Sequence, residues 1–212
     1  MASMTAPREI SEGSGVLGKV QYWFACFFAV GWTAIVCCGL GVQFISWDYP
    51  CPLCMVQRMF MLLAALGAAT IVRKGMTGTI GGRDYMMGWG LALVACIGGA
   101  FTAWRQTMLH ILPGDKGYGS PVLGLHMYVW AWILFMLSIV GIGIIMALAH
   151  LTADRTVPTT GLYWILGRAV LWFIALIIAI DLVAVFLEEG FHWWLPDDPT
   201  RYQFFYDVGI LD

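Results

Sequence analysis

Long apolar runs alternate with short polar ones along this chain. Five apolar stretches, at about 21–46, 54–72, 86–109, 126–150 and 162–187, each reach the roughly 20 residues that a helix needs to cross a bilayer core. Gly-rich and polar segments at 73–84, 113–121 and 152–160 divide them, while 47–50 leaves only a very short connection between the first two. The pattern predicts an all-α membrane helical bundle. Gly88, Gly90, Gly98 and Gly99 would let neighbouring helices approach the third span closely. No internal repeat, low-complexity segment or boundary between two folded domains is visible. The expected organisation is an N-terminal segment over 1–20, a four-span core over 21–150, a loop and fifth span over 151–188, and a tail over 189–212.

Composition sharpens this picture. The chain is 60% hydrophobic and 11% charged, with a mean hydropathy of +0.80. Soluble domains carry about 25% charged residues, so an integral membrane protein is expected. The formal net charge is -2 and no basic block is present, which argues against a nucleic-acid partner. Residues 1–20 lack an apolar signal-peptide core, so the first apolar run should be both insertion signal and permanent span. With the N-terminus in the cytoplasm, Arg8, Lys19, Arg73, Lys74, Arg83 and Arg155 fall inside, and Lys116 and Arg201 outside. That bias follows the positive-inside rule and places both the 47–50 connection and the C-terminal tail on the external side.

One stretch carries chemistry: Pro50-Cys51-Pro52-Leu53-Cys54-Met55-Val56-Gln57-Arg58, where the chain re-enters the membrane. Pro52 suits a first helical turn, so the second helix should start there. Both sulfurs then lie near a helix N-terminus, whose unpaired N–H groups and dipole stabilise a thiolate. Arg58 lies four residues beyond Cys54, one turn deeper on the same face. A redox-capable dithiol above a buried cation is the expected site. Zinc would need two further ligands nearby, which the pattern does not offer.

These residues resemble the DsbB family, bacterial membrane quinone reductases that make disulfides for a soluble thioredoxin-fold oxidase. The resemblance rests on Cys51-Pro52-Leu53-Cys54 with Arg58, on Thr107-Met108-Leu109, and on Leu123-Gly124-Leu125, within residues 20 to 150. It implies a DsbB-like four-helix core plus a fifth span, in the bacterial inner membrane. It also implies that Cys54 works against bound ubiquinone or menaquinone, that Cys51 is its disulfide partner and receives the incoming exchange, and that Arg58 supports the quinone. The expected partner is an extracytoplasmic thioredoxin-fold (DsbA-like) protein or another dithiol protein. Two departures stand out. The loop 111–122 lacks the family's second, shuttle cysteine pair, and the family's His and Gln on the third span appear exchanged, as Gln106 and His110. A partner should therefore reach Cys51 itself or bring its own relay pair; a loop of this length should be too short to hide the motif under a separate folded lid, which leaves the tail as the candidate cover or docking element.

Other polar and sulfur residues have plainer expectations. Cys26, Cys37, Cys38 and Cys96 read as small buried apolar residues. Arg58 could snorkel to the interface, Gln106 could serve packing, and His110 could be interfacial. Trp104, Trp193 and Trp194 read as aromatic-belt anchors. Asp181 is an intramembrane acid, either functional or paired with another helix. A haem-binding or assembly subunit of a respiratory complex, using His110, His126 or His150, is the competing function.

Overall fold

The computed structural model describes residues 15–77, 79–119, 121–148, 155–156, 161–192, 194 and 196–211. Arg8, His150 and Trp193 lie outside the described residues. Five long helices dominate: α1 (Gly15–Ser46), α2 (Pro52–Gly75), α3 (Gly82–Leu109), α4 (Met127–Ala147) and α5 (Leu162–Glu189). All five are long and apolar enough to cross a membrane, and the chain is a multi-pass membrane protein. Their outward faces carry side chains such as Phe27, Val94 and Trp172, which suit lipid rather than water. Strands β1 (Thr79–Ile80) and β2 (Arg155–Thr156) form a two-residue antiparallel ladder. It ties the α2–α3 connection to the chain that precedes α5. A short α6 (Gln203–Asp207) lies in the tail.

Helix α2 is the central element. It packs on α1, α3 and α5, and α3 in turn packs on α4. Its inner surface is built from small residues, Ala64, Ala65, Gly67, Ala68 and Ala69, all buried. At Gly67 an added Cβ would lie 2.6 Å from the backbone nitrogen of Ala92 on α3, so the two backbones meet with no room for a side chain. On α3, Gly88, Gly98 and Gly99 accommodate Ile71, Phe60 and Phe135, as expected of close helix approach, but Gly90 faces open space.

The two ends of α2 are held differently. At its C-terminal end the buried Tyr22 donates to the carbonyl of Tyr163 at 2.8 Å, joining α1 to α5. At its N-terminal end the chain reverses through Trp47, whose φ of 54° lies in the left-handed region usually taken by Gly after a helix. That reversal lets the next residues drop directly into α2. The chain from α3 to α4 makes its own reversal at Val122–Leu125, with Leu123 and Gly124 at φ 52° and 82° between two backbone hydrogen bonds. Positive φ at both central positions is the geometry of a type I′ hairpin turn.

The α2–α3 contact yields a test. Gly67→Val should destabilise the bundle by about 1–3 kcal/mol through overpacking, whereas Gly90→Ala should be neutral or stabilising by up to about 1 kcal/mol. Denaturant unfolding in detergent would check both, and equal stability of the two variants would refute the close contact.

Candidate functional site

The sequence Cys51-Pro52-Leu53-Cys54 folds as a helix start. Cys51 is the N-cap, with extended φ and ψ of -69° and 162°, and Pro52 is the first helical residue. The Cys51 sulfur accepts the Cys54 backbone N–H at 3.2 Å, doing with sulfur what Ser or Asp oxygen does at other N-caps. The two sulfurs stand 2.8 Å apart. Cys51 is only 6% exposed, and its contact with Cys54, then burial, push its thiol pKa up.

A side-chain amide from α3 serves both sulfurs. Gln106, 1% exposed, directs Nε2 to Cys51 Sγ at 3.2 Å and to Cys54 Sγ at 3.4 Å. Its Oε1 accepts from Gln57 Nε2 at 2.6 Å, which fixes the amide with its donors toward sulfur. The same Oε1 lies 3.8 Å from Cys54 Sγ, so the amide can meet a thiolate with N–H and a thiol with oxygen. Gln57 carried no signal in the sequence beyond being polar inside an apolar run.

Arg58 lies one turn deeper and is 9% exposed. It turns toward α1 and α5: its guanidinium donates to Gln43 Oε1 at 2.7 Å and to the Gly39 carbonyl at 3.1 Å, and stands 3.8 Å from Asp181 Oδ1. A Cβ on Gly39 would come within 3.3 Å of Arg58 Nε, so glycine makes room for the cation. Gln43 Nε2 in turn donates to the buried Glu188 Oε2 at 3.0 Å. Asp181 therefore pairs with another helix, one of the two roles open to it. Gln43 and Glu188 are site residues that sequence reading missed, because their partners lie 15 and 145 positions away.

Beside Cys54 and Arg58 opens a cavity of about 480 Å³, walled by α1, α2 and α4. Cys54, Gln57 and Arg58 give it a polar edge; Ile35, Val42, Met61 and Leu134 are among its apolar walls. Donors at one end of an apolar cleft could hold a flat, largely apolar group that carries polar oxygens. Tyr128, also in the wall, has His110 and His126 against its ring, with centroids 5.6 and 5.4 Å away. His110 itself bonds Asp115 at 3.2 Å and sits apart from the sulfurs, while Gln106 is brought to them.

One expectation is corrected. Cys26 and Cys96 are buried, but Cys37 and Cys38 are exposed on α1, Cys38 at the edge of the cavity. In a bilayer an apolar thiol needs no protein cover. The loop before α4 lies beside the motif without forming a folded lid: Tyr118 donates to the Tyr49 carbonyl, and Cys51 is buried. Among the described residues no group of three or more His, Cys, Asp or Glu is placed to hold a metal ion.

Residues 21–120 match the family model for disulfide bond formation protein DsbB. The chain is 35% identical over 96 residues to a disulfide bond formation protein B of Hahella chejuensis, covering 44% of this chain and 53% of that protein. It is 39% identical over 83 residues to one from Paracidovorax citrulli, covering 39% and 44%, and 35% identical over 88 residues to one from Polaromonas naphthalenivorans, covering 41% and 49%. The chain spans about half the length of the curated relatives it matches. No solved structure matches it.

The amide bridge is testable. Gln106→Leu should slow alkylation of Cys54 in the dithiol form about tenfold at neutral pH, since a hydrogen bond to a charged group is worth about 1.5–3 kcal/mol. Time-resolved labelling with mass mapping measures it. An unchanged rate would leave Gln106 with packing alone.

Proposed function

We propose that the chain is a member of the DsbB family, whose model matches residues 21–120, and that it is a membrane dithiol:quinone oxidoreductase supporting disulfide formation outside the cytoplasm. A single observation supports the reading: Cys54 and Arg58 border one apolar cavity, while Cys51, in contact with Cys54, is not among the residues that line it. One sulfur thus borders a space that an acceptor can enter, and the other is left for exchange with a thiol donor. The bias of basic residues supports an external cysteine end, with the β1–β2 end inside.

The sulfur chemistry follows from the geometry. A thiolate of a thioredoxin-fold or other dithiol partner attacks Cys51 Sγ of the Cys51–Cys54 disulfide, and Cys54 leaves as a thiolate. The Gln106 N–H groups receive that charge. The second partner thiolate then attacks the mixed disulfide, which frees Cys51 and leaves the partner oxidised. Ubiquinone or menaquinone supplies the two-electron acceptor that returns Cys51 and Cys54 to the disulfide. Cys54, at the cavity edge, is the exit for the electron pair. Arg58 holds positive charge at the same edge, where a low-dielectric surrounding strengthens it. Because Cys51 is 6% exposed, exchange requires its surroundings to open.

Cys54→Ala tests the donor side. It leaves Cys51 as an unpaired nucleophile that attacks the disulfide of the partner's oxidised form, one partner sulfur leaving as a thiolate, and the resulting mixed disulfide should accumulate, seen on non-reducing gels and located by peptide mapping. A partner linked through Cys37, Cys38 or Cys96, with Cys51 free, would overturn direct exchange at Cys51.

A further inference from the structure

The fifth helix brings two acids to one arginine. Arg58 stands 3.8 Å from Asp181, and Gln43 bridges it to Glu188. One guanidinium balances one carboxylate, so a second bare charge in this apolar interior would remain uncompensated. Glu188 is the acid that differs in access. It is 1% exposed, its Oε2 takes the Gln43 bond, and its Oε1 has no hydrogen-bond partner among the described residues. Yet Glu188 also borders a second cavity of about 480 Å³, enclosed between the end of α5 and the tail and open to the outside.

The tail is built to form that cavity. The Phe191 N–H and the Gln203 amide donate to Asp207, lowering its carboxyl pKa, and His192 bonds the same carboxylate. Tyr202 packs its ring on Tyr49 and places its hydroxyl 3.5 Å from Gln43 Nε2. The tail cavity and the cavity beside Cys54 are therefore joined through Glu188, Gln43 and Arg58, across two hydrogen bonds of 3.0 and 2.7 Å.

We propose that Glu188 is a proton-holding carboxyl, loaded from the tail cavity, that serves the Arg58 side of the site. This rests on the function proposed above and deepens it. Oxidation of a dithiol by a quinone moves two electrons and two protons and yields a disulfide and a quinol. The electrons pass through sulfur. The protons are released at the partner's thiols, in water, and have to re-enter the apolar interior. Glu188 holds one at the free Oε1, releases it toward the acceptor as the electron pair arrives, and is reloaded from the tail cavity to supply the second. Arg58 keeps its own proton throughout and, with Asp181, fixes the charge that Glu188 faces.

The groups around Glu188 define what its titration will sense. From the interior these are Arg58 and Cys54 of α2, Asp181 of α5, Tyr49 and Tyr202. Around the tail cavity they are Glu189, His192, Asp198 and Arg201.

Infrared spectroscopy on the purified, full-length protein without added quinone tests the proton itself. At neutral pH a protonated-carboxyl C=O band is expected that exchanges in D₂O, disappears in Glu188→Gln and persists in Asp181→Asn. Absence of the band, or its survival in Glu188→Gln, would overturn the proposal whatever the electron acceptor is. In turnover with a ubiquinone analogue, Glu188→Gln should slow quinol formation by roughly a hundredfold, the lower range for a proton-transfer group. Its thiol–disulfide exchange with a small dithiol should be unchanged, and Glu188→Asp should restore quinol formation at least in part. Equal slowing in Glu188→Asp and Glu188→Gln, or equal loss of exchange and quinol formation, would reduce Glu188 to a structural residue. A band that behaves as expected in a protein that reduces no quinone would instead count against the oxidoreductase reading.

Discussion

The site depends on how this bundle pays for a buried arginine. Arg58 is 9% exposed, so most of its donors must find partners within the protein. Gln43 and the Gly39 carbonyl come from α1, and Asp181 comes from α5. Three helices are thereby made to meet at one level, a turn below the cysteine pair. Removing one partner of such a buried pair commonly costs about 3–5 kcal/mol, because the remaining charge is stranded. The fifth helix is thus an integral part of the site's electrostatics, although it lies beyond the stretch 21–120 that carries the family match.

Above the arginine, the cysteine pair has a different design. Its partners are neutral amides, Gln106 and Gln57, fixed in orientation by their own hydrogen bond. An amide presents N–H to a thiolate and oxygen to a thiol, so it accommodates both states of Cys54 without importing charge. The cation stands aside, at the edge of the apolar cavity. The amide bridge to the sulfurs comes from α3 and the cation from α2, so the two groups are held by different helices.

Much of this was legible in the chain because it is local. Span lengths follow from runs of apolar residues, and α2 begins at Pro52 because proline at a first turn loses no hydrogen bond. The pairing of Cys51 with Cys54 is set by three residues of separation. Other features depend on contacts across the bundle. Nothing near Arg58 in sequence announces Asp181, and nothing near Glu188 announces Gln43. The bond that ties Tyr118 to the Tyr49 carbonyl joins residues 69 positions apart. Cys37 and Cys38 sit on the outer face of α1, and hydropathy does not distinguish a residue facing lipid from one facing protein, since both surroundings are apolar.

The most direct measurement is a single turnover under anaerobic conditions. Purified protein, reduced at Cys51 and Cys54 and freed of reductant, is mixed with one equivalent of a soluble ubiquinone or menaquinone analogue. Quinol is followed optically, and each cysteine by differential alkylation and mass spectrometry. The account predicts one quinol formed for each Cys51–Cys54 disulfide, with Cys26, Cys37, Cys38 and Cys96 still reduced. Quinol formed without loss of the Cys51 and Cys54 thiols, or no quinol while those thiols remain intact and accessible, would contradict it.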